Sequence, residues 1–141
     1  MTQADDKPFD SLRVGDTASF TQLISKNDVQ AFADVSGDYN PLHMDDAYAK
    51  GTAFGERVVH GMYLGALVSR LVGMHLPGKR ALLLKESLEF KKPVHVGDTV
   101  KVEGVITSVS QATRIVNVDV RIQVENTIVA TGQAQVQVRE E

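Results

Sequence analysis

HGMYLGALVSRLVGMH, residues 60–75, is apolar around nearly its whole circumference when wound as a helix, through Met62, Leu64, Ala66, Leu67, Val68, Leu71, Val72 and Met74. A helix of that kind must be covered on most sides, so the rest of the chain has to supply a wrapper. The wider apolar stretch from Val58 to Leu76 is interrupted by His60, Ser69, Arg70 and His75 and carries Gly61, Gly65 and Gly73. It therefore predicts a buried helix and no membrane span. Met62 and Met74 are expected as core fillers.

The wrapper lies downstream. Thr113 to Glu125 alternates, with Val116, Val118, Val120, Ile122 and Val124 on one face and Asn117, Asp119, Arg121, Gln123 and Glu125 on the other. One face is buried and the other wet, as in a sheet packed on a single side. Ile128 to Val138 repeats the pattern through Ile128, Ala130, Ala134, Val136 and Val138 after a short connection at Asn126 and Thr127, which predicts an antiparallel hairpin. Leu82 to Phe90 and Thr99 to Ser108 supply two more strands, separated by Lys91, Lys92, Pro93 and a turn at Gly97 and Asp98. Thr17 to Ile24 supplies another after a turn at Gly15 and Asp16. The predicted class is α+β: a curved antiparallel sheet wrapped around one long apolar helix.

Upstream of that helix, Ser25 and Asp28 form a capping-box pattern, and Val29, Phe32, Ala33 and Ser36 share one helical face that should end at Gly37. Asp38 to Arg57 holds turn residues, a proline and one short helical possibility at Ala47 to Lys50. It predicts an irregular excursion laid over the domain, the kind of segment that often carries functional groups. The change from helical to strand-rich sequence falls near Pro77 and Gly78. No repeat, low-complexity tract or linker divides the chain, so residues 1–141 are expected to form a single domain.

Bulk properties agree. A chain of 141 residues that is 43% hydrophobic and 23% charged has enough apolar content for one self-supporting core. Its net charge of -3 gives no electrostatic footprint for general nucleic-acid binding. The absence of cysteine excludes disulfides, thiolate metal sites and a cysteine nucleophile. With a polar N-terminus lacking the pattern of a signal or transit peptide, the expectation is a cytoplasmic protein with no membrane partner.

The chemistry concentrates in Ser36, Gly37, Asp38, Tyr39, Asn40, Pro41, Leu42 and His43. A carboxylate and an imidazole stand five residues apart, with Pro41 pre-setting one backbone angle and Asn40 able to tie the turn. Such a pair converging on one water can take one proton and deliver another on the same face of a double bond. Attack at the carbon β to a carbonyl also develops an enolate, which amides at a helix start stabilise. His60, Gly61 and Met62 stand where the long helix begins, and glycine permits close approach of a thioester carbonyl, so the Gly61 N–H is the expected oxyanion donor.

The run Ser36 to His43, with Val59, His60, Gly61 and Met62 downstream, resembles the MaoC-like, PhaJ-type (R)-specific enoyl-CoA hydratases, the hydratase 2 family of the hot-dog fold. Leu88 to Pro93, with Val94, Val96, Gly97 and Asp98, echoes a strand motif of the same family. The resemblance implies that Asp38 and His43 hold the catalytic water and that the Gly61 amide binds the thioester carbonyl. Asn40, His60 and Ser69 are implied as supporting residues. It further implies reversible syn hydration of trans-2-enoyl-CoA to (R)-3-hydroxyacyl-CoA, with CoA as substrate carrier, no cofactor and a homodimeric assembly. The same residues would serve a dehydratase acting on acyl-carrier-protein thioesters. A hot-dog thioesterase would direct water at the carbonyl instead, and a non-catalytic acyl-thioester-binding protein would need neither acid nor base.

Plainer roles compete for each residue. Asp38 and Asn40 can cap turns, and His60 can hydrogen-bond backbone at the helix entrance. Asp38, His43, Asp45 and His60 fit no standard metal-ligand spacing, and Leu42 breaks an EF-hand loop, so no metal is expected. Neither Ser36 nor Ser69 lies in a nucleophile elbow. Lys79, Arg80, Lys85, Lys91 and Lys92 are within the chemistry that meets CoA phosphates, but surface lysines are usually just solvated. His75 and His95 are expected at the surface or at strand ends.

Overall fold

The computed structural model describes residues 2–141. Five strands, β1 (Thr17–Leu23), β2 (Ala81–Phe90), β3 (Thr99–Ser110), β4 (Ile115–Val124) and β5 (Thr127–Val138), form one sheet in the order β1-β3-β4-β5-β2. Every neighbouring pair is antiparallel. The alternation in β4 does what its period demands: Val116, Val118, Val120 and Ile122 are buried while Arg121 faces water. Register carries the apolar rows across strands, Val102 lying opposite both Phe20 and Ile122.

Four helices precede or interrupt the strands: α1 (Lys26–Ser36), α2 (Pro41–Met44), α3 (Asp46–Lys50) and α4 (Gly61–Met74). The capping box of α1 forms as expected, the Ser25 hydroxyl accepting from the Asp28 amide and the Asp28 carboxylate from the Ser25 amide. Helix α4 lies against β1, β2 and β3, and its Leu64, Leu67, Val68, Leu71 and Val72 join the sheet's valines in one core. Close approach requires a small residue at one point: a Cβ on Gly104 would lie 2.7 Å from Leu71 Cδ2 and 2.9 Å from Val118 Cγ1.

Three expectations need correction. Helix α4 is covered on most of its sides, but Met62 is 63% exposed and shares an open stripe with Ala66, Ser69 and Arg70. Met62 is thus no core filler; the five-stranded sheet leaves that stripe of the helix open. Arg70 uses its position at the margin to stack over Phe20, 4.0 Å from the ring centroid, while bonding Gln22 at 2.8 Å. In β5 the buried residue is Val129 and Ile128 is exposed, because the β4–β5 register shifts between Ile122 and Gln123. A one-residue slip reverses which side chains face the core. Finally, Asp38 to Arg57 contains two helices, α2 as well as the anticipated α3.

Among the described residues no helix is long and apolar enough to cross a membrane. The β2–β5 contact leaves no room at Gly132, where a Cβ would stand 1.9 Å from the Ser87 carbonyl oxygen. Gly132→Ala is therefore expected to destabilise the fold by about 3 kcal/mol, the upper range for overpacking, measured as a lowered denaturation midpoint. A midpoint equal to that of the parent would show that β2 moves aside freely.

Candidate active site

The turn after α1 is built from nested hydrogen bonds. Gly37 adopts φ 78°, the left-handed conformation that ends the helix, and its N–H reaches the Ala33 carbonyl at 2.8 Å. The Ser36 hydroxyl accepts from the Asp38 amide at 3.1 Å. Asp38 Oδ1 then accepts from the Asn40 amide at 3.1 Å, and Asn40 Oδ1 from the Leu42 amide at 3.0 Å. Asn40 is the N-cap of α2 and Pro41 its first residue, a pairing that favours helix initiation and was the available sequence signal for this helix. The part Asn40 plays is to shape the loop that carries Asp38 and His43.

Helix α2 presents His43 to the segment leading into α4. The His43 ring lies with Nδ1 at 2.6 Å from the Val58 carbonyl oxygen. A carbonyl only accepts, so Nδ1 carries the proton and Nε2 of the neutral ring holds a lone pair. His60 is 2% exposed, and its Nε2–H donates to the Asp38 carbonyl at 2.9 Å. Its Nδ1 is buried without a hydrogen-bond partner. The two imidazoles stack, centroids 4.1 Å apart at 30°, with Phe32 on the far side of His60 at 4.9 Å. His60 thus takes the backbone-bonding role at the helix entrance and backs the His43 ring.

These contacts gather Asp38, His43 and His60 so that one potential ligand atom from each lies within 4.8 Å of the others. Two of the four imidazole nitrogens are occupied with backbone carbonyls, which leaves His43 Nε2, the buried His60 Nδ1 and the exposed Asp38 carboxylate as the groups open to proton transfer. Nearby, Tyr63 packs edge-on against Phe32, and burial pushes its phenol above the ordinary value, keeping it protonated.

A cavity of about 340 Å³ opens beside the pair, lined by His43, Phe54, Val58, Val59, Gly61, Leu64 and residues 90–94. Gly61 is the first residue of α4, so its N–H has no acceptor inside the helix and lies at the positive end of the dipole. Sequence reasoning assigned Phe90 only to a strand and did not single out Phe54 or Arg57, which belong to no apolar periodicity. Of the five basic residues considered for phosphate contact, Lys91 and Lys92 line this cavity, whereas Lys79 and Arg80 pair with Asp6. Ser69 stands two helical turns beyond Gly61 on the open stripe of α4 and does not line the cavity. His95 is more engaged than a surface histidine, its Nδ1–H donating to the Arg57 carbonyl at 3.1 Å.

A five-stranded antiparallel sheet wrapped on one helix, with an Asp/His pair on an overhanging loop and a glycine at the helix start, is the hot-dog architecture. The chain belongs to the MaoC-like domain family, whose model matches residues 11–128. It is 43% identical over 125 residues to an (R)-specific enoyl-CoA hydratase of Aeromonas caviae, spanning 88% of this chain and 93% of that protein. It is 35% identical to a 3-hydroxybutyryl-CoA dehydratase of Methylorubrum extorquens, spanning 92% and 83%. The solved structure of an R-hydratase from Pseudomonas aeruginosa in the unliganded form superposes with a TM-score of 0.93 at 38% identity, covering 99% of this chain and 90% of that one. The A. caviae (R)-hydratase, solved as an enzyme of PHA biosynthesis, gives 0.88 at 42%, covering 91% and 98%.

Gly61 is constrained from the protein side as well, since a Cβ there would lie 2.9 Å from Phe90 Cζ. Gly61→Ala is expected to lower stability by about 1–3 kcal/mol through crowding of the ring. Phe90→Ala should relieve that loss in a double-mutant cycle read by chemical denaturation. Strictly additive losses would mean that the ring is free to swing away.

Proposed function

We propose that this protein is an (R)-specific enoyl-CoA hydratase, adding water reversibly to trans-2-enoyl-CoA to give (R)-3-hydroxyacyl-CoA. The observation that carries the reading is that Asp38 and His43 bring a ligand atom each within 4.8 Å of one another, with His43 lining the same cavity as Gly61. The acyl chain occupies the cavity with its thioester oxygen toward the Gly61 N–H. A water held between Asp38 and His43 Nε2 gives a proton to the imidazole as its oxygen bonds the β carbon. The alkene electrons move onto the thioester oxygen, where the amide and the helix dipole stabilise the enolate.

Collapse of the enolate takes a proton to the α carbon on the same face: the proton that water gave to His43 passes to the Asp38 carboxylate and from it to carbon, so that the pair ends as it began. The balance is one water consumed and one hydroxyl and one C–H formed, with no metal, redox group or covalent intermediate in the proposed steps. Lys91 and Lys92 line the cavity and offer cations to phosphates of the CoA carrier, Lys91 by exchanging its ion pair with Glu89. The expected result with crotonyl-CoA is loss of conjugated-thioester absorbance without release of thiol. Release of thiol would establish a thioesterase, and no change in either signal would overturn the hydratase reading. Asp38→Asn and His43→Ala should each reduce turnover by about 10²–10⁴-fold with the circular-dichroism spectrum unchanged, since each removes a proton-transfer group.

The same reading carries a homodimer. Strand β2 ends the sheet with one edge unpaired, and exposed Leu82, Leu84 and Met62 lie on β2 and α4. Leu84 sits at the register shift between Leu83 and Lys85 and is 48% exposed. A second copy on this apolar strip would cover surface that a monomer leaves in water. Light scattering should give twice the 15.4 kDa chain mass, and Leu84→Glu should shift it toward one chain. A parent protein that is monomeric at micromolar concentration would remove the dimer from the proposal.

A further inference from the structure

Arg57 is a buried cation, 8% exposed, that forms no ion pair among the described residues. Burying an unpaired charge opposes folding, so its placement calls for a compensating interaction. That interaction is with the backbone of the active-site helix. Arg57 Nε–H donates to the His43 carbonyl, and Nη2 lies 4.0 Å from Met44 Sδ. The guanidinium therefore meets the carbonyl end of α2, where positive charge is favourable.

His43 is consequently held at three points. Its N–H reaches the Asn40 carbonyl at 2.9 Å, its carbonyl accepts from Arg57, and its ring Nδ1–H donates to Val58. Two of the three anchors come from the adjacent residues 57 and 58. Their strand is fixed in turn: the Val58 amide donates to Leu42 at 3.2 Å, the Val59 amide to Val94 at 2.7 Å, and His95 Nδ1–H to the Arg57 carbonyl at 3.1 Å. Val58 and His95 also form a β-bridge. The side chain of Arg57 and the backbone of Val58 thus act as two jaws on one histidine, with His95 closing the far side.

We propose that Arg57 is a positioning residue that holds His43 with Nδ1 on the Val58 carbonyl, so that Nε2 faces the reacting water. The proposal rests on His43 being the base of the hydratase reaction. Loss of the guanidinium frees the His43 carbonyl and lets α2 and its imidazole shift relative to Asp38. A shift of about 1 Å in such a group is worth about 10²-fold in rate. Substrate contacts run through the cavity wall, which does not include Arg57, so binding should be spared.

The test compares the parent with Arg57→Leu and Arg57→Lys, using crotonyl-CoA hydration and the ring ¹⁵N signals of His43 assigned in labelled protein. Arg57→Leu should lower kcat by about 10–10²-fold with KM changed by less than about twofold. Added guanidinium ion should restore part of the loss, and Arg57→Lys, which keeps a charge and a donor, should fall between the two. The Nδ1-protonated signature of His43 should be single in the parent and averaged in Arg57→Leu. A leucine variant with parental kcat and unchanged ring signals overturns the proposal. So does a leucine variant that fails to fold beside a lysine variant of parental kcat and ring signature. An inactive parent would refute the hydratase reading, while the ring signals would still decide whether Arg57 holds the imidazole.

Discussion

Helix α4 cannot stand in water by itself: Leu64, Leu67, Val68, Leu71 and Val72 need cover, and the five-stranded sheet provides it. The rest of the molecule follows from that burial. Once α4 lies against β1, β2 and β3, its first residue is brought beside β2, where Gly61 meets Phe90 and both line the cavity. The place of Gly61 at the helix start is thus a consequence of core packing. Its close approach to Phe90 leaves no space for a side chain, so the wall itself demands glycine.

The segment that carries Asp38 and His43 is held by a different physics. The loop from Gly37 to His43 has little apolar area to bury and is held instead by short-range hydrogen bonds among Ser36, Asp38, Asn40 and Leu42. Carbonyl oxygens then select the imidazole tautomers, Val58 for His43 and Asp38 for His60. Gly61 belongs to the helix packed in the core, and Asp38 and His43 sit on a segment anchored to the residues that start that helix.

Much of this was legible in the residues. Period-two alternation located β4 because one of its faces is buried, and the near-continuous apolar run located α4 because most of it is covered. That Asp38 and His43 come together, and that His43 and Gly61 line one cavity, was anticipated from their types and spacing. Alternation misled at Ile128, where a register shift transfers burial to Val129, and at Met62, where the sheet leaves one stripe of α4 open. Helix α2 escaped notice because four residues carry no periodic signal, although Asn40 and Pro41 mark its start.

The sequence alone determined that an apolar helix would be wrapped by an antiparallel sheet and that an Asp/His pair would share a short loop, since both depend on neighbours along the chain. Only the tertiary structure decided which His43 nitrogen is free, where Gly61 meets Phe90, and that Arg57 reaches the His43 carbonyl. Those relations join residues 14 to 29 positions apart, in contacts that depend on how elements approach one another in space. Local propensity carries no information about such approaches; packing of the common core sets them.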